Sequence, residues 1–197
     1  ITRQVDQIPS EEVWGVDVAR FGDDRSALAK RCANHLTDKI KSWRNKDLMA
    51  TTGIIVNEYQ SASRKPAMIF VDVIGMGGGV VDRLKEVGLP VRGINVAEAD
   101  PTSDKYNRLR DELWWGARDW FRGLDVKMQD DGALIGELTL PTYEYTSSGK
   151  IKGESKEDTK KRTAKTASNR GKSPDLADAF CLTFAARSMV FLKPKPI

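Results

Sequence analysis

Short apolar runs alternate with segments of helical periodicity along the first half of the chain. Residues 13–19 form an apolar run long enough for one buried strand. Residues 26–32 and 39–44 follow it across short turns, which predicts an antiparallel meander. The run at 67–73 is apolar on both faces, as expected for a central parallel strand. The other predicted elements here are a helix over about 48–59 capped by Asn45 or Asp47, a helix after Gly75–Gly79 and a strand at 91–96.

The second half of the chain is predicted to add two helices and some short strands. A helical stripe runs over about 104–121, and 138–140, 143–145 and 151–154 resemble strands, the last two as a hairpin. The final helix is predicted to have Ser173 as N-cap and Pro174 at its first position, to continue through Met189 and to end at Pro194. These patterns together predict an α/β fold, in which helices flank a mixed sheet of three antiparallel strands plus parallel strands.

Length and composition indicate one globular domain. At 197 residues, 40% of them apolar, the chain can bury a real core, so 1–197 is treated as a single domain with a linker-like segment at 1–12. No run approaches the ~18 apolar residues of a membrane span, and no signal peptide is present, so no membrane partner is expected. Because the chain begins at Ile1 without Met, we expect it to be part of a longer protein.

Histidine and cysteine usage narrows the possible chemistry. His35 is the only histidine, which excludes zinc sites built from several His and leaves Ser-His-Asp catalysis a single candidate. Its position in a predicted turn at 34–38 indicates a surface residue. Cys32 and Cys181 are far apart in apolar surroundings, which favours buried thiols in a reducing compartment over a disulfide framework.

Positive charge is concentrated in one segment. The formal net charge is +4, but residues 150–172 contain nine Lys or Arg and three acids, a net +6. The remainder of the chain is therefore slightly acidic. A nearly neutral body with one basic arm indicates a polyanionic partner, although a solvated charged loop has the same composition.

Acidic residues interrupt three of the predicted buried elements. Asp17 lies within the first apolar run, Asp72 ends the run at 67–73, and Asp175 and Asp178 open the last helix. A buried carboxylate is costly unless it is paired or binds a cation, so a shared cation site is predicted. Oxygen ligands favour Mg²⁺ or Mn²⁺ over zinc, and two such ions close together cleave phosphodiesters. Asp175 is the weaker ligand candidate, because a carboxylate at a helix N-terminus is also favoured by the helix dipole.

The order of these elements matches the ribonuclease H-like fold, and four segments resemble one family within it. The segments are GVDVARFGDDRS at 15–26, FVDVIGMGGGV at 70–80, YNRLRDELWW at 106–115 and SPDLADAF at 173–180. In that order they resemble the first and second nuclease motifs, the Asn-Lys-Arg helix and the third acidic motif of one family. That family is the nuclease domain of the large terminase subunit of tailed bacteriophages.

The resemblance implies a divalent-metal-dependent endonuclease that cleaves double-stranded viral DNA concatemers during genome packaging, by two-metal-ion hydrolysis. It implies that Asp17, Asp72 and Asp178 are the catalytic metal ligands for Mg²⁺ or Mn²⁺, with Asp175 beside them as a weaker ligand. The implied partners are DNA, an ATPase domain, the small terminase subunit and the capsid portal, in the cytoplasm of an infected bacterial cell. Nothing in the chain fits the Gly-rich phosphate-binding loop of that ATPase, so only the nuclease half is expected here.

The basic segment resembles the hairpin and loop that flank the nuclease cleft in this family. We therefore treat 147–172 as a basic hairpin and loop. The motif around Asp178 follows directly after this segment, so its cations are expected at the edge of the site. The predicted DNA-binding residues are Lys160, Lys161, Arg162 and Lys165.

Other functions fit parts of the same pattern. Another ribonuclease H-like nuclease, such as a junction resolvase or a transposase-type strand-transfer enzyme, has the same acidic set. A DNA-binding module without catalysis is a second alternative, against which the intact set of three Asp argues. A nucleotide-binding protein of the actin or sugar-kinase type also opens with a strand and an Asp, but it needs a duplicated fold, for which 197 residues are too few.

Overall fold

A mixed sheet of six strands forms the centre of the computed structural model, which describes residues 11–19, 24–123, 125–164 and 173–185. Strand β1 pairs antiparallel with β2 and parallel with β5, and β6 extends the parallel side. Both β3 and β4 pair antiparallel with β2, at its opposite ends. The predicted mixed α/β sheet is therefore confirmed. The strands are β1 (Glu12–Asp17), β2 (Ser26–Cys32), β3 (His35–Leu36), β4 (Lys41–Trp43), β5 (Met68–Asp72) and β6 (Val91–Ile94).

Helices cover both faces of this sheet, and a separate two-stranded hairpin lies beside it. None of the helices in the described ranges combines the length and the hydropathy that a membrane crossing needs. The helices are α1 (Leu48–Ser61), α2 (Gly77–Glu86), α3 (Leu109–Arg122), α4 (Gly132–Leu138), α5 (Lys156–Thr163) and α6 (Asp175–Leu182), and the hairpin strands are β7 (Tyr143–Tyr145) and β8 (Ile151–Gly153).

Two hydrophobic cores result from the alternation of side chains along the strands. In β1, Trp14 and Val16 pack in the core beneath α1 and α2, whereas Val13 packs in the core that α3, α4 and α6 cover. Strand β5 alternates in the same way, with Ile69 in the first core and Phe70 in the second. A period of two in each strand therefore decides which side chains face α6.

Glycine at position 15 permits the close contact between α6 and the sheet. A Cβ atom added to Gly15 would lie 2.1 Å from the carbonyl oxygen of Ala179. Gly77 has the same role at the start of α2, where an added Cβ would lie 1.7 Å from the carbonyl oxygen of Asp72. Both glycines bring a helix against the end of a strand that carries an acidic residue.

Helix α3 begins five residues later than its periodicity predicts. The backbone before it bonds the hairpin instead: Ile151 donates to Lys105, and Asn107 donates to Ile151, at N···O distances of 2.7 and 2.9 Å. The carboxylate of Asp111 then accepts from the N–H of Arg108 at 3.0 Å and closes the first turn. Tertiary pairing with β8 therefore replaces the predicted first turn of the helix.

The segment before the hairpin also differs from expectation. The prediction of a strand at 138–140 is wrong, because this region ends helix α4. Asp131 caps α4 by accepting from the N–H groups of Ala133 and Leu134 at 3.1 and 3.2 Å, and Leu134 is fully buried. A capping carboxylate and one buried Leu are enough for this short helix, whose apolar residues are too few to show a period.

Two further boundaries depart from the sequence-based expectation. The hairpin predicted at 143–145 and 151–154 is confirmed, but part of the basic segment that was expected to be a loop forms α5, capped by Ser155. Helix α6 starts after Pro174, whose side chain cannot accept a hydrogen bond, rather than after Ser173. The predicted end of this helix, at Met189 and Pro194, lies outside the described residues, and so do residues 1–10 of the linker-like segment predicted at 1–12. The prediction is wrong at the end of that segment, because strand β1 already begins at Glu12.

Substitution of Gly15 tests the contact between α6 and β1. Gly15→Ala is expected to destabilise the fold by about 1–3 kcal/mol or more, because an added methyl group overpacks against a backbone oxygen that cannot move alone. Gly53, inside α1, has no atom within 4 Å of an added Cβ, so Gly53→Ala is the matched control. It should stabilise the protein by about 0.5–1 kcal/mol through helix propensity. Urea unfolding of both variants measures the difference; equal stabilities would contradict the contact.

Candidate metal centre and nucleic-acid cleft

Asp17 and Asp72 lie side by side at the ends of two parallel strands. Strands β1 and β5 pair in the register Val16 with Val71, and the next residue on each strand is one of the two Asp. Since side chains alternate, both carboxylates point to the face that α6 covers. Each is only 7% exposed. The carboxyl ends of parallel strands are where α/β sheets bind ligands, so this edge is a candidate site from backbone topology alone.

Helix α6 supplies two more carboxylates from above the sheet. Asp178 Oδ1 accepts from the indole N–H of Trp114 at 2.9 Å and lies 3.4 Å from Arg110 Nη2. Asp175 lies one turn earlier, and its Oδ2 accepts from the backbone N–H of Arg25 at 2.8 Å. Both carboxylates are buried, so the structure brings all four predicted acidic residues to one region.

A lysine ammonium lies between two of these carboxylates. Lys156 Nζ, from the first turn of α5, is 3.0 Å from Asp17 Oδ2 and 2.9 Å from Asp178 Oδ2. Nothing in the sequence distinguishes Lys156 from the other eight Lys and Arg residues at 150–172, so its role is visible only in the structure. Its position shows that this cluster of buried negative charge attracts a cation.

Burial sets the charge state of the site. Burial raises the pKa of Asp17 to about 7, against the lowering effect of Lys156, and the carboxylates of Asp178, Asp175 and Asp72 raise it further. Burial also raises the pKa of Asp72. The carboxylates of Asp17 and Asp178 raise the pKa of Lys156, against the lowering effect of its own burial. An acid whose pKa is higher in the folded protein than in the unfolded chain costs stability when it ionises, and this cost is present at neutral pH. A bound cation relieves it.

The chemical type of the ligand atoms suits a hard divalent cation. Its ligand atoms are carboxylate oxygens, which suit Mg²⁺ and Mn²⁺, and the structure already places a positive charge among them. Within the described ranges, however, no three His, Cys, Asp or Glu side chains are arranged to hold a metal ion as they stand. Since Lys156 engages Asp17 and Asp178 together, a metal bound by these two residues requires Lys156 to release at least one of them.

A second residue that the sequence analysis missed, Glu137, caps the acidic helix. Its Oε2 accepts from the N–H groups of Leu176 and Ala177 at 2.7 and 3.2 Å, and its Oε1 forms an ion pair with Arg25. Pro174 precedes α6 and offers no side-chain acceptor, so Glu137 of α4 satisfies these N–H groups from a distant part of the chain. It thereby fixes the helix that carries Asp175 and Asp178.

The four carboxylates open into a cleft of about 890 Å³. Its walls come from α3, from the polar face of the β7–β8 hairpin with Glu144 and Lys152, and from the start of α5. Arg110 anchors the hairpin wall by donating to the carbonyl oxygen of Glu154 at 2.9 Å. A cleft of this size with an acidic floor can admit a phosphodiester only together with cations.

The predicted DNA-binding residues differ in whether their side chains are already paired with a carboxylate. Lys160 bonds both carboxylate oxygens of Asp24 at 2.7 and 2.9 Å. Arg162 pairs with Glu154 at 2.7 Å, which holds the pKa of that carboxyl at about 2. Lys161 is exposed and forms no ion pair in the part of the chain that the structure describes, and Lys165 lies outside that part.

Removal of the Glu137 carboxylate tests its capping role. Glu137→Ala leaves two buried N–H groups without an acceptor, so a loss of about 1–3 kcal/mol and faster amide exchange at Leu176 and Ala177 are expected. Glu137→Gln keeps an acceptor oxygen and should lose less. Glu86→Ala, at an exposed glutamate, is the matched control. Urea unfolding and hydrogen exchange measure both effects, and unchanged exchange at positions 176 and 177 would contradict the cap.

Comparisons of the sequence with protein-family models and with curated proteins find no match. Comparison of the structure does find matches. The nuclease domain of the large terminase subunit of bacterial virus Sf6, determined with manganese and beta-thujaplicinol, superposes with a TM-score of 0.67 over 89% of each chain at 14% identity. The large terminase nuclease of thermophilic phage G20c superposes with a TM-score of 0.64, over 89% of this chain and 81% of that one, at 14% identity.

A third neighbour is the large terminase nuclease domain of a Thermus phage, with a TM-score of 0.61, 12% identity and coverage of 88% of this chain and 78% of that one. The fold of the chain is therefore the ribonuclease H-like fold of phage large terminase nuclease domains, as the motifs predict. At these identities the likeness establishes the fold alone.

Proposed function

We propose that this chain is a divalent-metal-dependent endonuclease that cleaves double-stranded viral DNA during genome packaging. The observation that carries the proposal is the convergence of Asp17, Asp72, Asp175 and Asp178 on one cleft, with a cation already among them. Solved structures with the same fold include ones with bound manganese, magnesium and cobalt, which supports a divalent ion as cofactor.

In this proposal Asp17, Asp72 and Asp178 hold Mg²⁺ or Mn²⁺, and Asp175 contributes more weakly because one of its oxygens already accepts from Arg25. When bound, such ions polarise the phosphodiester and generate a hydroxide nucleophile from water. The chain itself orients the ligands: Trp114 and Arg110 hold Asp178, and the N–H of Ile74 donates to Asp72 at 3.1 Å. The two-ion arrangement and the cutting of concatemers belong to the same proposal.

The cations of the basic segment are proposed to hold the phosphate backbone near the cleft. Lys161 contacts phosphate directly, whereas Lys160 and Arg162 exchange their carboxylate partners for phosphate when DNA binds. Lys165 is also proposed to bind phosphate. Such contacts are independent of sequence, so placement of the cut falls to packaging partners. The partners proposed are an ATPase domain, the small terminase subunit and the capsid portal, in the cytoplasm of the infected bacterium.

Nicking of supercoiled plasmid is the test of this function. We expect cleavage with Mn²⁺ or Mg²⁺, none with zinc, and none in excess chelator. Asp17→Asn, Asp72→Asn and Asp178→Asn should each abolish nicking in a folded protein, while Asp175→Asn should reduce it less. Asp82→Asn, at an exposed carboxylate on α2, is the matched control and should nick like wild type.

Four results would count against the proposal or a part of it. Robust cleavage in chelator would exclude metal-dependent hydrolysis, and wild-type nicking by one of the three Asn variants would remove that residue from the ligand set. Cleavage confined to four-way junctions would favour a junction resolvase, and DNA binding without any cleavage would favour a non-catalytic module.

The salt dependence of DNA binding tests the proposed phosphate-binding cations separately. The slope of log affinity against log salt should become shallower by up to ~0.9 for each phosphate neutralised by the wild type but not by the variant. Lys161→Ala should remove one phosphate contact. The triple change of Lys160, Lys161 and Arg162 to Ala should remove up to three. Lys85→Ala, on the exposed face of α2, is the control. Slopes identical to wild type would show that the DNA path lies elsewhere.

A further inference from the structure

Four aromatic side chains form a continuous row next to the cleft. The aromatic row consists of Tyr106, Trp115, Tyr143 and Tyr145, whose neighbouring ring centroids are 6.4, 4.9 and 6.0 Å apart in that order. Tyr143 and Tyr145 are 55% and 65% exposed, and they are the only tyrosines among the exposed large hydrophobic side chains of the described residues. Exposed contiguous rings of this kind are unusual unless they bind something.

The hairpin carries Tyr143 and Tyr145 of this row at the edge of the acidic cleft. Glu144 and Lys152 pair directly across β7 and β8 and face the cleft, at an Nζ···Oε1 distance of 2.9 Å. Tyr143 and Tyr145 point the other way, as alternation along a strand requires. On that side lies a groove of about 430 Å³, to which Trp115, Tyr143 and Ile151 contribute. Tyr143 lines both the groove and the cleft, so the aromatic row adjoins the cleft at this residue.

The aromatic row sits on a rigid support. Besides the backbone bonds to residues 105–107, the hairpin bonds α3 through the N–H of Gly153, which donates to Asp111 Oδ1 at 2.9 Å. Trp115 projects from α3 itself. Because both supports are fixed before any ligand arrives, stacking on these rings costs little ordering of the protein.

The charges around the groove favour a polyanion. Its lining contains three arginines and one acid, and the acid, Asp111, is buried with both oxygens accepting from backbone N–H groups. Arg110 is engaged with Asp178 and Glu154, so Arg118 and Arg122 are the cations that face this groove. Arg118 lies over the Trp115 ring at 4.5 Å, and its exposed side chain also pairs with the exposed carboxylate of Asp119 at 3.1 Å, a partner that a phosphate group would replace. Aromatic faces edged by arginine suit nucleic-acid bases joined by phosphates, whereas an apolar protein segment gains nothing from the arginines.

We propose that the aromatic row is a stacking site for unpaired bases of a DNA strand that leaves the cleft. The choice of ligand rests on the proposed nuclease function, since the site adjoins the place where a strand would be cut. Bases of a frayed or newly cut end stack on Tyr143, Tyr145 and Trp115, and Arg118 and Arg122 face the phosphates. Stacking of this kind tolerates any sequence, because every base has a π face.

Binding of single-stranded DNA in chelator tests the site without cleavage. The probe is an oligonucleotide of about 12 deoxythymidines with one 2-aminopurine, within the site sizes of about 4–16 nucleotides known for stacking modules. Wild type should bind it and quench the 2-aminopurine fluorescence. Tyr143→Ala and Tyr145→Ala should each weaken binding by about 5-fold to 100-fold and lose the quenching. Tyr143→Phe and Tyr145→Phe keep the ring and should bind like wild type.

The controls separate this proposal from the nuclease proposal. Plasmid nicking by the same variants reports the metal centre, so a wild type that binds and quenches the oligonucleotide but nicks nothing would refute only the nuclease. Oligonucleotide binding unchanged in both Ala variants would overturn the stacking site and leave the row as a protein-binding surface. A loss in the Phe variants equal to that in the Ala variants would also overturn it, because the hydroxyl groups rather than the rings would then bind.

Discussion

The concentration of buried carboxylates at the edge of the sheet is the constraint on which the rest of the structure depends. Burial disfavours the ionised form of Asp17, and the neighbouring carboxylates add to the effect, which is why the pKa of Asp17 rises to about 7. The fold balances part of this charge with Lys156, which contacts Asp17 and Asp178 at once. The same two contacts tie the first residue of α5 to β1 and α6, so an electrostatic demand of the site also helps to position a structural element.

Close packing of α6 is the second condition for the site. Asp178 reaches Trp114 and Lys156 only because the helix lies against β1, and a Cβ at Gly15 would prevent this approach. The start of the helix is fixed by Glu137, which accepts from its first N–H groups and holds Arg25. Side chains from α3, α4 and α5 therefore define where two carboxylates of one helix point, and this rigidity is what a metal centre requires.

The hairpin divides the surface near the site into two chemical environments. Its face toward the cleft is charged, and its other face carries the exposed tyrosines. Since β7 and β8 are three residues each, a hairpin this small is not stable by itself and depends on its bonds to α3 and to residues 105–107. Because residues 105–107 bond the hairpin, they are not part of α3. The same bonds therefore hold the hairpin wall of the cleft and set where α3 begins.

The sequence by itself determined the local elements and the acidic residues. A period of two predicts the strands that place Asp17 and Asp72, a helix start near Pro174 precedes Asp178, and turn residues predict the hairpin; each depends on neighbours within a few positions. Only the tertiary structure decided that Lys156 lies between Asp17 and Asp178 and that Glu137 caps α6, since these contacts join residues 22 to 139 positions apart or bridge separate elements. It also decided that 105–107 pair with β8 instead of continuing α3. Long-range contacts of this kind leave no periodic trace in the chain, because their partners are selected by the packing of whole elements.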